Sequence, residues 1–276
     1  MLTRLALPLL LLILAALPVA AEPRLVGPLL AAQDFDRLIA IMRQEGIDHG
    51  HELEAEFFAD PGGARWRAAV ETIHDPARMK AIVTEVLDRE MTGHEADLAA
   101  ATAFFTADPG RRIVALELSA REALMDDATR EAAELAFEEM QAGGTPRVML
   151  LDRFVEANDL IDSNVSDAMN SNLAFYRGLL AAGGLDPGVA ERDMLSDLWA
   201  QEQQIRDEAV VWVYPYLAMA YDTLTDAELR AYIDFSQTPA GQRLNRAQFA
   251  AFGALFAVLS HDLGLAVGKQ LQGQDI

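Results

Sequence analysis

From about residue 28 onward, apolar residues recur three and four positions apart with few interruptions, and strand-like alternation is almost absent. A chain patterned in this way buries its apolar faces by packing helix on helix, so the expected fold class is all-α, with about ten helices. Phe35, Leu38, Ile39 and Met42 make one stripe; Met79, Ile82, Val83, Val86 and Leu87 make another. The breaks between stripes carry helix start signals. Asp75-Pro76, Asp108-Pro109, Thr145-Pro146, Asp186-Pro187 and Thr238-Pro239 each pair a capping side chain with a proline suited to the first helical position. Gly62-Gly63, Gly143-Gly144 and Gly183-Gly184 mark places where helices stop. Residues 146–182 read as one long helix and residues 187–214 as its antiparallel successor, which Pro215 should kink or end. Val210–Tyr214 resembles a strand, yet it continues a helical stripe from Leu195 and Trp199.

The first 21 residues follow a different rule. One positive charge at Arg4 precedes a nearly unbroken Leu, Ile and Ala run from Leu5 to Leu17, and Val19-Ala20-Ala21 supplies the small residues that a signal peptidase reads. The apolar run is about 13 residues, short of the ~20 that span a bilayer. Residues 1–21 are therefore expected to be a cleaved signal peptide, and the protein to be periplasmic or secreted. The chain has no cysteine. That excludes lipidation at the cleavage site, disulfides, thiolate metal sites and cysteine nucleophiles, and a 255-residue remainder is long enough to hold a core without cross-links. Losing Arg4 takes the net charge from −21 to −22. Nucleic acid and anionic lipid are repelled by such a surface.

Two stretches resemble each other. Thr92-Gly93-His94-Glu95 and Thr225-Asp226-Ala227-Glu228 both read as capping boxes, with Thr at the N-cap and Glu at the third helical position. Each is followed by a short helix ending in Phe, two spacers, a capping residue and Pro: Phe105-Thr106-Ala107-Asp108-Pro109 in the first copy, Phe235-Ser236-Gln237-Thr238-Pro239 in the second. Basic-then-apolar helices follow, Arg111-Arg112-Ile113-Val114 against Arg243-Leu244. The expected organisation is a signal peptide (1–21), a first helical half (22–143) and a second (144–276), the halves related by a diverged duplication. In the second copy, Leu224-Thr225-Asp226-Ala227-Glu228-Leu229 and the segment from Tyr232 through Thr238-Pro239-Ala240-Gly241-Gln242-Arg243-Leu244 resemble an exported bacterial family defined by the domain of unknown function 2059. The resemblance extends over roughly residues 195–270, and more weakly over residues 79–140. It implies a secreted or periplasmic helical protein and brings no activity and no catalytic residues. Phe235, Thr238, Pro239 and Gly241 read as architecture: a core anchor, a cap, a helix start and a close backbone approach.

Candidate chemistry is sparse. His49-Gly50-His51-Glu52 suggests a metal, but a zinc-protease helix needs its histidines four apart, and Ala55 stands four after His51. Ser260-His261-Asp262 holds the letters of a triad, yet neighbours on a helix point about 100° apart. Asp152, Glu156, Asp159, Ser163, Ser166 and Asn170 recur at three- and four-residue steps, a pattern able to hold a divalent cation or a basic peptide, or simply to face solvent. All five tyrosines lie in the second half, and Trp212-Val213-Tyr214-Pro215-Tyr216 suits a groove for a peptide or glycan as well as core packing. No catalytic, cofactor-binding or metal-ligating residue can be assigned, and neither a cofactor nor a tightly bound transition metal is expected. The expected function is a non-enzymatic binding or cell-envelope accessory role, with an envelope protein or peptide as partner class and no transmembrane segment after cleavage. The alternative is an envelope-substrate hydrolase working through carboxylates.

Overall fold

A computed structural model describes residues 25–59, 62–184 and 191–273; the expected signal peptide and Asp186-Pro187 lie outside the described residues. Thirteen helices and no strand occur among them. In chain order these are α1 (Gly27–Ala32), α2 (Phe35–Phe57), α3 (Gly63–Ile73), α4 (Pro76–Met91), α5 (Glu95–Thr106), α6 (Gly110–Ala123) and α7 (Asp127–Ala142). Then follow α8 (Pro146–Ala157), α9 (Leu160–Ala181), α10 (Glu191–Ala200), α11 (Glu202–Tyr221), α12 (Asp226–Ser236) and α13 (Pro239–Leu271). The all-α expectation holds.

The helix starts obey their caps at Asp75, Thr225 and Thr238, whose side chains accept the N–H three residues on. Thr225 and Glu228 form the full reciprocal box. Thr92 does not: it ends α4, its hydroxyl donating back to the Asp88 carbonyl at 2.7 Å, and the left-handed turn at Gly93 moves the start of α5 to Glu95 with His94 at the N-cap. Thr145 makes no side-chain cap, and α6 begins only at Gly110, after Pro109. The single helix expected over 146–182 is two, because the Asn158 amide caps the Phe154 carbonyl and Asp159 turns left-handed at φ 50°. Pro215 does not end α11. The carbonyl its ring leaves unbonded belongs to Val211, on an exposed face within reach of water.

The 33-residue α13 is the spine. Its buried positions Leu244, Ala247, Ala251, Leu255, Leu259, Leu263 and Val267 repeat at helical spacing, and α9, α4, α5 and α3 pack around it. By length and composition α13 is able to cross a membrane; in this fold it is the centre of a helical globule. Where α9 crosses it, Gly178 and Gly264 let the two backbones meet. A Cβ on Gly178 would lie 2.0 Å from the His261 carbonyl oxygen, and one on Gly264 2.0 Å from that of Phe175. The core falls into two clusters. One joins α1–α6 to α13, the other joins α6, α7, α8, α11 and α12. The boundary between them does not coincide with the expected split at Gly143-Gly144, because α13 of the second half lies in the first half's core.

A second register relates the two stretches that resemble each other in sequence, one that the motif letters obscure. A constant offset of 131 residues carries α4–α5–α6 onto α11–α12 and the start of α13, and it matches Phe104, not Phe105, to Phe235. The glycines show why. A Cβ on Gly110 would fall 2.2 Å from the Phe104 carbonyl oxygen, and one on Gly241 would fall 2.2 Å from that of Phe235, the same close approach in both copies. The two copies exchange partners reciprocally. Arg112 pairs with Glu228 at 2.6 Å and Arg243 with Asp97 at 2.9 Å, while Phe104 and Phe235 stack on each other with centroids 4.1 Å apart. Likewise α4 packs on α13 and α6 on α11. Such an exchange is what a local two-fold axis between the copies produces.

Candidate functional site

Beside this local axis, α6, α8, α9, α11, α12 and α13 enclose a cleft of about 590 Å³. The two copies contribute equivalent positions to it: Glu117 of α6 and Gln248 of α13 both face in, one residue charged and the other neutral. Aromatic residues make up much of the rest. Trp212 and Tyr216, one turn apart on α11, stack at 5.0 Å and 15°, and Phe154, Tyr232, Phe235 and Phe252 continue the wall. Glu117, Arg121, Tyr216 and Phe252 also border a smaller neighbouring cavity of about 160 Å³.

Glu117 occupies a position on α6 that should be apolar, one turn after the buried Ile113 and Val114. Tyr221 donates its hydroxyl to Glu117 Oε1 at 2.6 Å, and Tyr216 donates to the Glu117 backbone carbonyl at 3.4 Å. Burial raises the Glu117 carboxyl to about 7, against the opposing effect of hydrogen bonds from Tyr221 and Tyr232. Burial and the neighbouring carboxylate hold the tyrosine hydroxyls protonated, so they remain donors. Arg121 is paired with a carboxylate outside the cleft: its Nε and Nη2 grip both oxygens of Glu45 at 2.7 and 2.8 Å. Asp167 of α9 is different. Burial raises its carboxyl to about 6, and among the described residues it has no hydrogen-bond or ion-pair partner. It rests where α13 carries Gly253, whose missing Cβ would lie 2.7 Å from Asp167 Oδ1.

The residues singled out from sequence fall elsewhere, with one exception. His49 and His51 are on the exposed face of α2, His49 pairing with Glu52 at 3.2 Å. Asp262 is held by Arg78 at 2.5 Å and touches His261 at 3.3 Å, so the Ser260-His261-Asp262 run forms no converging triad. Among the described residues no three His, Asp or Glu side chains come together with the spacing of a metal site. Asp152, Glu156, Asp159, Ser166 and Asn170 are exposed, and the break at Asn158 interrupts their row. The cleft is lined instead by the adjoining face of α9, at Asn164, Asp167, Ala168 and Ser171. The exception is the aromatic run, which divides: Trp212 and Tyr216 line the cleft, Tyr214 stacks on Phe137, and Val213 is buried. Glu117 went unnoticed in the sequence, although a lone carboxylate inside an apolar stripe was a readable signal.

The family model described as an uncharacterized protein conserved in bacteria (DUF2059) matches residues 77–139. This is the family that the repeat resembles. The match covers α4, α5, α6 and most of α7, the first copy of the duplication, whereas the resemblance was drawn mainly from the second. Neither a search of curated proteins nor one of solved structures returned a match.

Proposed function

We propose that the chain is an exported, non-enzymatic binding protein that holds a small amphipathic molecule in the cleft beside its local two-fold axis. The observation that carries this reading is the cleft itself: about 590 Å³, walled by aromatic rings, with a few polar groups converging on it. The signal-like residues 1–21 and the acidic surface fit a molecule that works outside the cytoplasm. Native mass spectrometry of protein isolated gently from a Gram-negative host tests both parts. The expected species begins at Glu22, is recovered from the periplasm or medium, and carries a small molecule that is lost on replacing Ala168, in the cleft wall, by Trp. A full-length species retained in the cytoplasm would refute export.

A second reading has one observation in its favour. Two carboxyls with raised proton affinity, Glu117 and Asp167, line the same cleft, as an acid–base hydrolase requires. Turnover of an ester, glycan or peptide substrate that disappears in Glu117→Gln would put hydrolysis ahead of binding.

A further inference from the structure

The polar atoms of the cleft are lopsided. Each side-chain amide on its wall uses an N–H within the protein. Asn158 Nδ2 donates to the Phe154 carbonyl at 2.9 Å, Asn164 Nδ2 to the Leu160 carbonyl at 2.7 Å, and Asn245 Nδ2 to the Asn158 carbonyl at 2.8 Å. A carbonyl partner can only face the nitrogen end of an amide, so these bonds fix which end is engaged and leave each amide its oxygen and one remaining N–H. Among the described residues lining the cleft the one cation is Arg121, which is paired at two points with Glu45. Against that stand two carboxyls, and Asp167 has no partner among the described residues. Around them are the ring faces of Trp212, Tyr216, Phe252 and Phe256, whose quadrupoles attract positive charge.

Resting on the binding reading above, we infer that the ligand is an organic cation: a protonated amine on an apolar, ring-bearing body, its ammonium at Asp167 and its body among the aromatic rings. Two kinds of group, carboxylate and aromatic ring, favour the same ligand charge, and the amides can serve a ligand of either sign. An anion would meet two carboxyls and, among the described residues lining the cleft, no unpaired cation. A neutral ligand would offer the unpaired carboxylate of Asp167 at most an uncharged donor, weaker than the charge-assisted bond of an ammonium. The protein's net charge of −21 draws cations toward it from a distance.

Three probes that share a naphthylmethyl body and differ in the charge of the head group test the inference: naphthylmethylamine, naphthylmethanol and naphthylacetate, titrated into the purified protein by calorimetry at pH 7.5. The amine should bind about tenfold or more tightly than the alcohol, with the carboxylate weakest. Asp167→Asn should erase the preference for the amine over the alcohol, and Ala168→Trp should abolish binding of all three. Alcohol binding as tight as amine binding, or an amine preference that survives Asp167→Asn, would overturn the cation assignment and leave the cleft a binding site. Absence of heat with all three probes would overturn the binding reading itself.

Discussion

Glu117 sits where the α6 stripe calls for an apolar residue, and its environment sets a sign that can be measured. Its folded-state pKa of about 7 lies above the 4.5 usual for glutamate, so the folded protein holds this proton more tightly than the unfolded chain. Below pH 4.5 the carboxyl is neutral in both states and its contribution to stability is complete. Between pH 4.5 and 7 only the folded state keeps the proton, and stability falls as pH rises. By pH 8 the loss should be ~1–3 kcal/mol, short of the full shift because water in the cleft screens part of the charge. Glu117→Gln keeps the shape and an acceptor for Tyr221. It should flatten this part of the curve and exceed the wild type in stability at pH 8 but not at pH 4.5, as read by urea unfolding across that range. Equal slopes for the two proteins would show that the carboxyl is well solvated. Glu117 is legible as a carboxylate one turn after the buried Ile113 and Val114, whereas Asp167 carries no such signal, because 43 acidic residues look alike until burial separates them. The uneven run of Trp and Tyr could be seen, since bulky aromatics in a cluster need a common surface whether it is core or cleft.

Two helix pairs, α4 with α13 and α6 with α11, knit the copies together, and the exchanged ion pairs add links from α6 to α12 and from α13 to α5. Asp97 and Arg243 retain 27% and 33% side-chain exposure, enough for solvent to weaken their pairing to ~0.5–1 kcal/mol. Arg243→Asp alone places two carboxylates together and should cost ~1–2 kcal/mol. Combining it with Asp97→Arg restores opposite charges and should recover most of that loss in a double-mutant cycle followed by chemical unfolding. If the double variant is only as stable as the two single changes added together, the pair does not couple the copies. At this scale the sequence disclosed the existence of the repeat better than its alignment. Phe, two spacers, cap and proline is a legible string, and it matched Phe105 to Phe235. The fold instead conserves the distance from a phenylalanine carbonyl to a glycine six residues later, in Phe104–Gly110 and Phe235–Gly241. Prolines and caps can shift by one residue at a helix start, but a backbone contact that excludes a Cβ cannot. The long helix expected over 146–182 failed for a related reason, since the break depends on one side chain, Asn158, folding back onto its own helix.

Across the whole molecule, helical periodicity was enough to give the fold class, because every stripe must find another helix to cover it. It was not enough to place α13, whose apolar residues are spread widely around the helix and so do not name a neighbour. The same scale governs how the protein responds to salt. A globule of this length has a radius of gyration of roughly 18 Å. At ~10 mM salt the screening length is about 30 Å, so the excess of 43 acidic over 22 basic residues repels across the entire fold. At ~150 mM it falls to about 8 Å, which removes the long-range repulsion but only part of the attraction between groups already in contact. The pairs seen here, such as Arg37–Glu122 and Arg121–Glu45, are contacts of the second kind, with separations of 2.8 and 2.7 Å. Moving from 10 to 300 mM sodium chloride should therefore stabilise the protein, by ~1–2 kcal/mol or a rise in Tm of ~2–6 °C at pH 7.5. The gain should shrink at pH 5, where Glu117 and Asp167 hold their protons and the net charge is smaller. Calorimetric scans at two pH values and two salt concentrations measure this. A Tm that falls with added salt at pH 7.5 would mean that the ion pairs between helices outweigh the repulsion of the whole surface.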